Sequence, residues 1–158
     1  GAGNDIVVAG KGGNIVVGGD GNDLLIGGSG RDVLIGGTGA DSLLGASADD
    51  LLVAGTTSFD NDPASLDAIY AEWNSSHSYA ERVANLKGDT SNMTRFNARL
   101  NGNVFLEADA GASSTVFDDS SRDVLTGGAG VDWFLFNSGT GIKDSIVDRG
   151  GNETGTDI

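Results

Sequence analysis

Short apolar triplets recur through the first third of the chain, separated by glycine and small polar residues. The first triplet is Ile6-Val7-Val8, and the pattern returns every nine residues until Leu51-Leu52-Val53, so residues 1–53 hold six units. β-Branched residues and leucine favour extended strands, and glycine permits turns with positive φ. The hydrophobic pattern therefore predicts six short strands joined by tight loops.

Side chains alternate along a strand, so the central residue of each triplet points away from its two neighbours. A strand this short cannot bury its central side chain alone, and the units must stack as in other solenoids. Two units would make one right-handed coil, and the strands would form two short parallel sheets. The residues expected to line the narrow core between the sheets are Val7, Val16, Leu25, Leu34, Leu43 and Leu52.

The outward-facing triplet positions are apolar as well. On one sheet they are Ile6, Val8, Leu24, Ile26 and Leu44, and on the other Ile15, Val17, Val33, Ile35, Leu51 and Val53. Apolar surfaces of this extent are typical of contacts with a partner. We expect at least one face to be covered, and an uncovered face would offer a surface for self-association or for a protein partner.

The segment 56–121 leaves the nine-residue rhythm and is the candidate cover. Asp62-Pro63 is a typical helix start, and apolar residues at helical spacing predict a helix over about 63–75. Ser78-Tyr79-Ala80-Glu81 is a capping box that predicts a second helix to about Leu86. The polar, glycine- and asparagine-rich composition of residues 87–103 predicts a loop. We assign both helices to packing.

Two short strands are expected at 104–106 and 115–117, after which the rhythm returns. Asp123 and Asp132 again stand nine residues apart, and the bulky strand Trp133-Phe134-Leu135-Phe136 would close the core as a terminal unit. A final edge strand is expected over 144–148. The predicted division is repeats at 1–55, a helical and β-strand capping insertion at 56–121, resumed repeats at 122–149 and a flexible tail at 150–158.

One position of each repeat carries an acidic or amide side chain, namely Asp5, Asn14, Asp23, Asp32, Asp41 and Asp50. Turn formation alone does not require an aspartate at every ninth residue. Oxygen ligands from carboxylates and backbone carbonyls suit hard cations, and a cage of many protein oxygens suits Ca²⁺ better than Mg²⁺. The chain has no cysteine and one histidine, which argues against zinc.

Composition and the missing motifs argue against several classes of function. The 158-residue chain has a formal net charge of −14, which argues against nucleic-acid binding and fits a chain that needs cations to become compact. No apolar run approaches the ~18 residues of a membrane span. Nucleophile elbow, zinc-protease helix, phosphate loop and dinucleotide fingerprint are all missing from the sequence. We therefore expect a protein that is not an enzyme, with His77 as a polar turn residue.

The six units resemble the GGxGxDxUx nonapeptide of the repeats-in-toxin (RTX, haemolysin-type calcium-binding) family. The resemblance implies a parallel β-roll, so the expected fold class is all-β dominated, with an α+β C-terminal extension of about two helices. It also implies that each loop and the loop two units later hold one Ca²⁺. Carbonyls at the second and fourth positions and the aspartate of one loop would meet carbonyls at the first and third positions and the aspartate of the next.

Carried onto this sequence, the resemblance implies about four ions. The first would use Gly1, Gly3 and Asp5 with Gly18, Asp20 and Asp23. The second would use Gly10, Gly12 and Asn14 with Gly27, Ser29 and Asp32, and the third Gly19, Gly21 and Asp23 with Gly36, Thr38 and Asp41. The fourth would use Gly28, Gly30 and Asp32 with Gly45, Ser47 and Asp50.

Departures from the pattern modify these sites. Asn14 removes one charge, so the second site should be weaker. Ala46 and Ala48 replace loop glycines, so the ladder of calcium sites should end there. A fifth ion would join the loop of Gly37, Gly39 and Asp41 to Asp60. Asp118, Asp119, Asp123 and Asp132 are further candidate ligands, with a solvated acidic face as the equal alternative.

The resulting interpretation is a calcium-binding module that folds on Ca²⁺ binding after export. The region from Phe59 onward resembles C-terminal regions of large secreted or surface calcium-binding repeat proteins of bacteria. Members of the family are commonly exported through a one-step (type I) secretion system, which implies an extracellular location. Two alternatives stay open: an adhesive or self-assembling surface module, and an accessory domain of a secreted hydrolase.

Overall fold

The computed structural model describes residues 1–108 and 111–158. The described residues form short strands and three α-helices. The strands are β1 (Ile6–Lys11), β2 (Ile15–Asp20), β3 (Leu24–Ser29), β4 (Val33–Thr38), β5 (Ser42–Ser47), β6 (Leu51–Val53), β7 (Thr56–Thr57), β8 (Val116–Phe117), β9 (Val124–Ala129), β10 (Trp133–Phe136), β11 (Ser145–Ile146) and β12 (Thr154–Asp157).

Successive repeats alternate between two parallel sheets. The first sheet has the order β1-β3-β5-β9-β11 and the second β12-β10-β6-β4-β2. Every pairing within them is parallel, as in Leu25 opposite Leu43 and Leu34 opposite Leu52. The prediction of a sheet-dominated fold with short parallel strands is confirmed.

The core between the two sheets consists of the central triplet residues. Each of them occupies the equivalent position in its coil, so together they form one row of stacked side chains. The resumed repeats add Leu125 and Phe134 to this row. The buried members are Val16, Leu25, Leu34, Leu43, Leu52, Leu125 and Phe134, with Val7 packed against them and partly buried. The pattern of the triplets therefore predicted this core correctly.

The segment between β6 and β9 is an excursion from an otherwise continuous stack. β5 pairs with β9, which places Leu43 opposite Leu125, and β6 pairs with β10, which places Leu52 opposite Phe134. The two ends of the excursion meet in an antiparallel pair, β7 with β8. The stack thus resumes in register after the inserted segment.

Two of the three helices follow the sequence signals closely. α1 (Pro63–Trp73) begins after the N-cap Asp62, whose side chain accepts from the Ala64 and Ser65 amides. α2 (Tyr79–Leu86) begins after Ser78 with both hydrogen bonds of the capping box present. Local side chains satisfy the free amides of each first turn, which fixes where each helix starts.

The region between α2 and β8 differs from expectation. The stretch 87–103, expected as a loop, contains α3 (Met93–Asn97) with Asn92 as N-cap. Residues 104–106, expected as a strand, form none, although Leu106 is buried and its amide donates to the Leu86 carbonyl at 2.7 Å. The Val104 amide also donates to the Asn101 carbonyl, and the Thr115 hydroxyl donates to the Phe105 carbonyl. No neighbouring strand pairs with this segment among the described residues.

The helices cover the outer face of the second sheet. Val33, Ile35, Leu51 and Val53 are buried there against a second hydrophobic cluster that includes Ile69, Trp73, Val83 and Leu86. The outer face of the first sheet remains exposed: Ile6 is 74% accessible and Val8 66%. Covering one of the two apolar faces was expected from the sequence.

The C-terminal residues are ordered into the stack. The tail, expected to be flexible, forms β12, which pairs in parallel with β10. The aromatic strand β10 is therefore not terminal, because β12 lies outside it. β11, which falls within the predicted edge strand 144–148, pairs with β9 at the edge of the first sheet.

Candidate calcium sites in the repeat loops

The repeat loops adopt one backbone conformation. Their second and fourth positions have positive φ, for example 111° at Gly19 and 124° at Gly21. Consecutive loops on one edge lie so close that a Cβ on Gly19 would overlap the Gly1 carbonyl oxygen, and one on Gly28 the Gly10 carbonyl oxygen. Glycine is needed here both for its φ and for the close approach of the backbones.

The aspartates of the loops form two hydrogen-bonded ladders. In each step one carboxylate oxygen, Oδ1, accepts the backbone amide of the equivalent residue in the preceding loop of the same edge. Asp23 accepts from Asp5 at 2.8 Å, and Asp41 accepts from Asp23 at 2.7 Å. The second ladder runs through Asn14, Asp32, Asp50 and Asp132 with the same bonds.

The second oxygen of these carboxylates is buried without a partner. Oδ2 has no hydrogen bond within the described residues in Asp23, Asp32, Asp41, Asp50, Asp123 and Asp132. Leaving one buried carboxylate oxygen unpaired is costly, and here it happens at the same position of six loops. A cation bound between the loops would satisfy every one of these oxygens.

Carbonyl oxygens of the next loop face the same points. A Cβ built on Gly18 would meet Asp23 Oδ2 and would lie 2.5 Å from the Gly36 carbonyl oxygen. A Cβ on Gly45 would meet Asp50 Oδ2 and would lie 2.7 Å from the Gly127 carbonyl oxygen. Both contacts between stacked loops therefore bring a carboxylate and a backbone carbonyl together, which is the oxygen-rich ligand set that Ca²⁺ takes.

Burial without a counter-charge raises the pKa of these carboxyls. Desolvation, the largest cause, brings the pKa of Asp50 to about 8, with Asp132 and Asp32 adding repulsion. The pKa of Asp123 is likewise about 8, through desolvation and then the Asp144 charge. The pKa is about 6 for Asp41 and Asp132. The folded loops thus favour either protons or cations on these groups.

The four predicted sites differ in how completely their residues converge. At the first, Asp5 is half-exposed, whereas Asp23 is buried. At the second, the Asn14 side-chain amide donates to the Gly12 carbonyl at 2.7 Å and to Asp32 Oδ1 at 2.9 Å. The Asn14 contacts occupy oxygens that the resemblance assigned to calcium.

The third and fourth predicted sites bring their residues together. In both, the first aspartate has an unpartnered Oδ2, and its backbone amide donates to Oδ1 of the next aspartate, from Asp23 to Asp41 and from Asp32 to Asp50. The Thr38 hydroxyl donates to Asp20 at 3.0 Å. The Ser47 hydroxyl donates to the Gly28 carbonyl at 3.0 Å, an oxygen that the resemblance assigned to the fourth ion.

Two expectations about the end of the ladder are wrong. Ala46 and Ala48 adopt the glycine conformation, with φ of 86° and 75°, and the loop 127–132 stacks on theirs, so the geometry continues. Asp60 does not approach the Asp41 loop as a ligand, because both of its oxygens accept from the Thr57 amide within its own turn. The Asp41 amide donates instead to Asp123 at 2.7 Å.

Sequence reasoning missed the carbonyl groups of Ala54, Ala46 and Ala48. Nothing in their residue type indicates a ligand, since the backbone supplies the oxygen. The nine-residue spacing of Asp123 and Asp132 did indicate the resumed ladder. Within 1–108 and 111–158, no three acidic or histidine side chains converge on one point, so backbone carbonyls have to complete each site.

The remaining candidate groups belong to the cap. His77 Nδ1 lies 2.8 Å from Oε1 of the buried Glu72, and Asn85 donates to the same oxygen at 2.9 Å. His77, which was expected to be a polar turn residue, therefore contacts a buried carboxylate between the helices. In the described part of the chain, no helix combines the length and apolar character needed to cross a membrane.

Comparison with known families agrees with the loop geometry. A sequence model described as the RTX calcium-binding nonapeptide repeat (four copies) matches residues 1–34, 26–56 and 113–142. The matched segments include both stretches of repeats and leave out the helices. No curated protein and no solved structure matches the chain.

Proposed function

Because the chain belongs to the RTX calcium-binding nonapeptide repeat family, we propose that it is a calcium-binding β-roll module that folds when Ca²⁺ binds between its loops. The observation that carries the proposal is the series of six buried, unpartnered Oδ2 atoms. Those of Asp23, Asp41 and Asp50 lie beside a backbone carbonyl oxygen of the neighbouring loop, so one kind of ligand fits these three positions.

The proposed ligands are those assigned from the repeat pattern, with the third and fourth sites as the strongest. The third uses Asp23 and Asp41 with loop carbonyls, and the fourth uses Asp32 and Asp50. Bound Ca²⁺ supplies positive charge between carboxylates that otherwise repel one another. The chain supplies the geometry, because the ladder bonds to Oδ1 hold each carboxylate with Oδ2 turned toward the adjoining loop.

Folding and calcium binding are coupled in this proposal. Glycine-rich loops carry high chain entropy when unfolded, and a net charge of −14 opposes compaction. Binding energy from the ions offsets both terms, so much of the folding free energy is metal-binding free energy.

A role after export is consistent with this coupling. Cytosolic Ca²⁺ is low and external Ca²⁺ is high, so the chain would pass outward unfolded and fold outside. We propose a secreted or surface location in bacteria and a non-catalytic role as folding and stability module of a larger protein. The family membership and the acidic charge support it.

The test is a Ca²⁺ titration of the metal-stripped chain, followed by far-UV circular dichroism and calorimetry, with Mg²⁺ as the control ion. We expect cooperative gain of β signal with several Ca²⁺ bound per chain and no gain with Mg²⁺, which keeps its waters and requires octahedral geometry. A stripped chain that is already fully folded, with no response to Ca²⁺, would contradict the proposal.

A second candidate function is self-association through the bare face, defined as the outer surface of the first sheet around Ile6, Val8, Leu24 and Val124. The exposed fractions of Ile6 and Val8, 74% and 66%, favour it. Sedimentation velocity in Ca²⁺ should then show mass rising with concentration, and Ile6→Thr with Val8→Thr should abolish the rise. Met93→Thr, which changes an exposed residue of α3, serves as control. A monomer at all concentrations would exclude this role.

A further inference from the structure

One loop of the stack is built from two distant pieces of chain. The loop 36–41 is followed on its own edge by Ala54 and Gly55, where the chain leaves the stack, and by Asp119 to Asp123, where it returns. The Gly37 amide donates to the Gly55 carbonyl at 3.2 Å, and the Gly39 amide donates to Asp119 Oδ2 at 2.6 Å. We call this composite the split loop.

The split loop reproduces the geometry of the continuous junctions. A Cβ on Gly36 would lie 2.5 Å from Asp41 Oδ2 and 2.6 Å from the Ala54 carbonyl oxygen. The corresponding carbonyl distances from Gly18 and Gly45 are 2.5 and 2.7 Å. Ala54 thus takes the place of the first loop position, although the aspartate of the same loop comes from much later in the sequence.

The carboxylates at the split loop lack counter-charges. Asp41 and Asp123 are each 1% exposed, and each has a buried Oδ2 without a hydrogen bond. The ion pairs found among residues 1–108 and 111–158 involve neither of them. Asp144 adds a further acidic group, since its Oδ1 accepts the Asp123 amide at 3.0 Å.

We propose that a Ca²⁺ ion binds in the split loop between Asp41, the Ala54 carbonyl and Asp123, and so joins the two ends of the inserted cap. The proposal rests on the proposed function and adds a distinct site and consequence. The β7–β8 pair at the base of the cap lies next to this site in the chain. Calcium would therefore control whether the base of the insertion is closed.

The test uses the full chain and the variant Asp123→Asn, which keeps the shape and removes the charge. Flow dialysis with Ca²⁺ should count one ion fewer than in the wild type. Hydrogen exchange at saturating Ca²⁺ should be about tenfold faster for amides at 54–57 and 115–119, with the amides of α1 still protected. The matched control Asp5→Asn, in the first unit of the same ladder, should leave exchange at the base unchanged.

Outcomes separate the two proposals. If the wild type binds no Ca²⁺, the proposed function is overturned. If the wild type folds with Ca²⁺ but the Asp123→Asn variant binds the same number of ions, only the split-loop site is overturned. If the Asp123→Asn variant does not fold, hydrogen exchange of the wild type at increasing Ca²⁺ concentration tests the site instead. Protection at 54–57 and 115–119 should then appear at the same Ca²⁺ concentration as protection of 36–41, and protection of the base without Ca²⁺ refutes the site.

Discussion

Alanine stands at two loop positions where the other loops carry glycine. Ala46 and Ala48 have φ of 86° and 75°, a conformation that costs an L-residue about 1 to 2 kcal/mol. At the equivalent position of the fourth repeat, Gly28 has φ of 119°, and a Cβ there would also overlap the Gly10 carbonyl. Exchanging glycine and alanine should therefore act in opposite directions at these two positions.

We expect Ala46→Gly to stabilise the Ca²⁺-bound chain by about 1 kcal/mol, because the conformational strain is removed. Gly28→Ala should destabilise it by about 3 kcal/mol through strain and overlap. Thermal unfolding at saturating Ca²⁺ measures both. Ala9→Gly is the control: Ala9 has no positive φ, so glycine there adds chain entropy, removes a methyl packed against the core and should destabilise. An Ala46→Gly variant that is destabilised like Ala9→Gly would contradict the strain argument.

At the residue scale, the aspartates and glycines of the loops could be predicted because their chemistry recurs every nine residues. The role of Ala46 could not, because residue type indicates only that positive φ is unfavourable. The stacked neighbours impose that φ. They come from residues 127–132, which follow the Ala46 loop directly in the stack but lie 82 residues later in the sequence. Asp60 shows the opposite case. It was expected to be a ligand, but its carboxylate accepts a hydrogen bond from the Thr57 hydroxyl in its own turn.

At the element scale, the helices support one edge of the stack through its loop carbonyls. The Tyr70 hydroxyl donates to the Gly13 carbonyl at 2.9 Å, the Asn74 amide to the Arg31 carbonyl at 3.1 Å and the Trp73 indole to the Asp49 carbonyl at 3.0 Å. Successive side chains of α1 and its C-cap thus hold successive loops. The cap orders the loops that carry Asp32 and Asp50.

Arg82 of α2 is the charged link between the cap and these loops. It is 1% exposed, pairs with Asp49 and lies 5.0 Å from the Trp73 ring centroid. Arg82→Met should destabilise the Ca²⁺-bound chain by about 2 kcal/mol, because Asp49 loses its buried partner and, of its ion pairs, keeps only the longer one with Arg31. Chemical denaturation measures this, and Lys87→Met, at the exposed C-cap of α2, should change stability little. Equal effects of the two variants would mean that the pair contributes nothing specific.

Elements were predictable where a local signal exists. α1 and α2 carry caps and apolar spacing, whereas α3 has five residues and too few apolar positions to show a period. β12 has the sequence Thr-Gly-Thr-Asp, which lacks an apolar pattern. It is a strand because the open edge of β10 offers backbone partners, and that edge exists only once the stack has formed.

At the scale of the whole molecule, the two acidic ladders determine how folding depends on pH. The pKa of Asp50 and Asp123 is about 8 in the folded chain, against an ordinary value near 3.8 in the unfolded chain. Between these values the folded state binds more protons than the unfolded state, so stability without Ca²⁺ falls as pH rises. With Ca²⁺ the ion replaces the protons, and the fall should disappear.

We therefore expect the metal-stripped chain to be more folded at pH 5 than at pH 8, and the calcium affinity to rise over the same interval as protons are released. Circular dichroism of the stripped chain measures the first effect, and calorimetry in buffers of different ionisation enthalpy counts the protons released. Asp50→Asn removes one of the titrating groups and should flatten the dependence, while Asp62→Asn, in an exposed N-cap, should not. A stripped chain whose folding improves with rising pH would show that these carboxylates are solvated or paired, and that calcium is not what balances their charge.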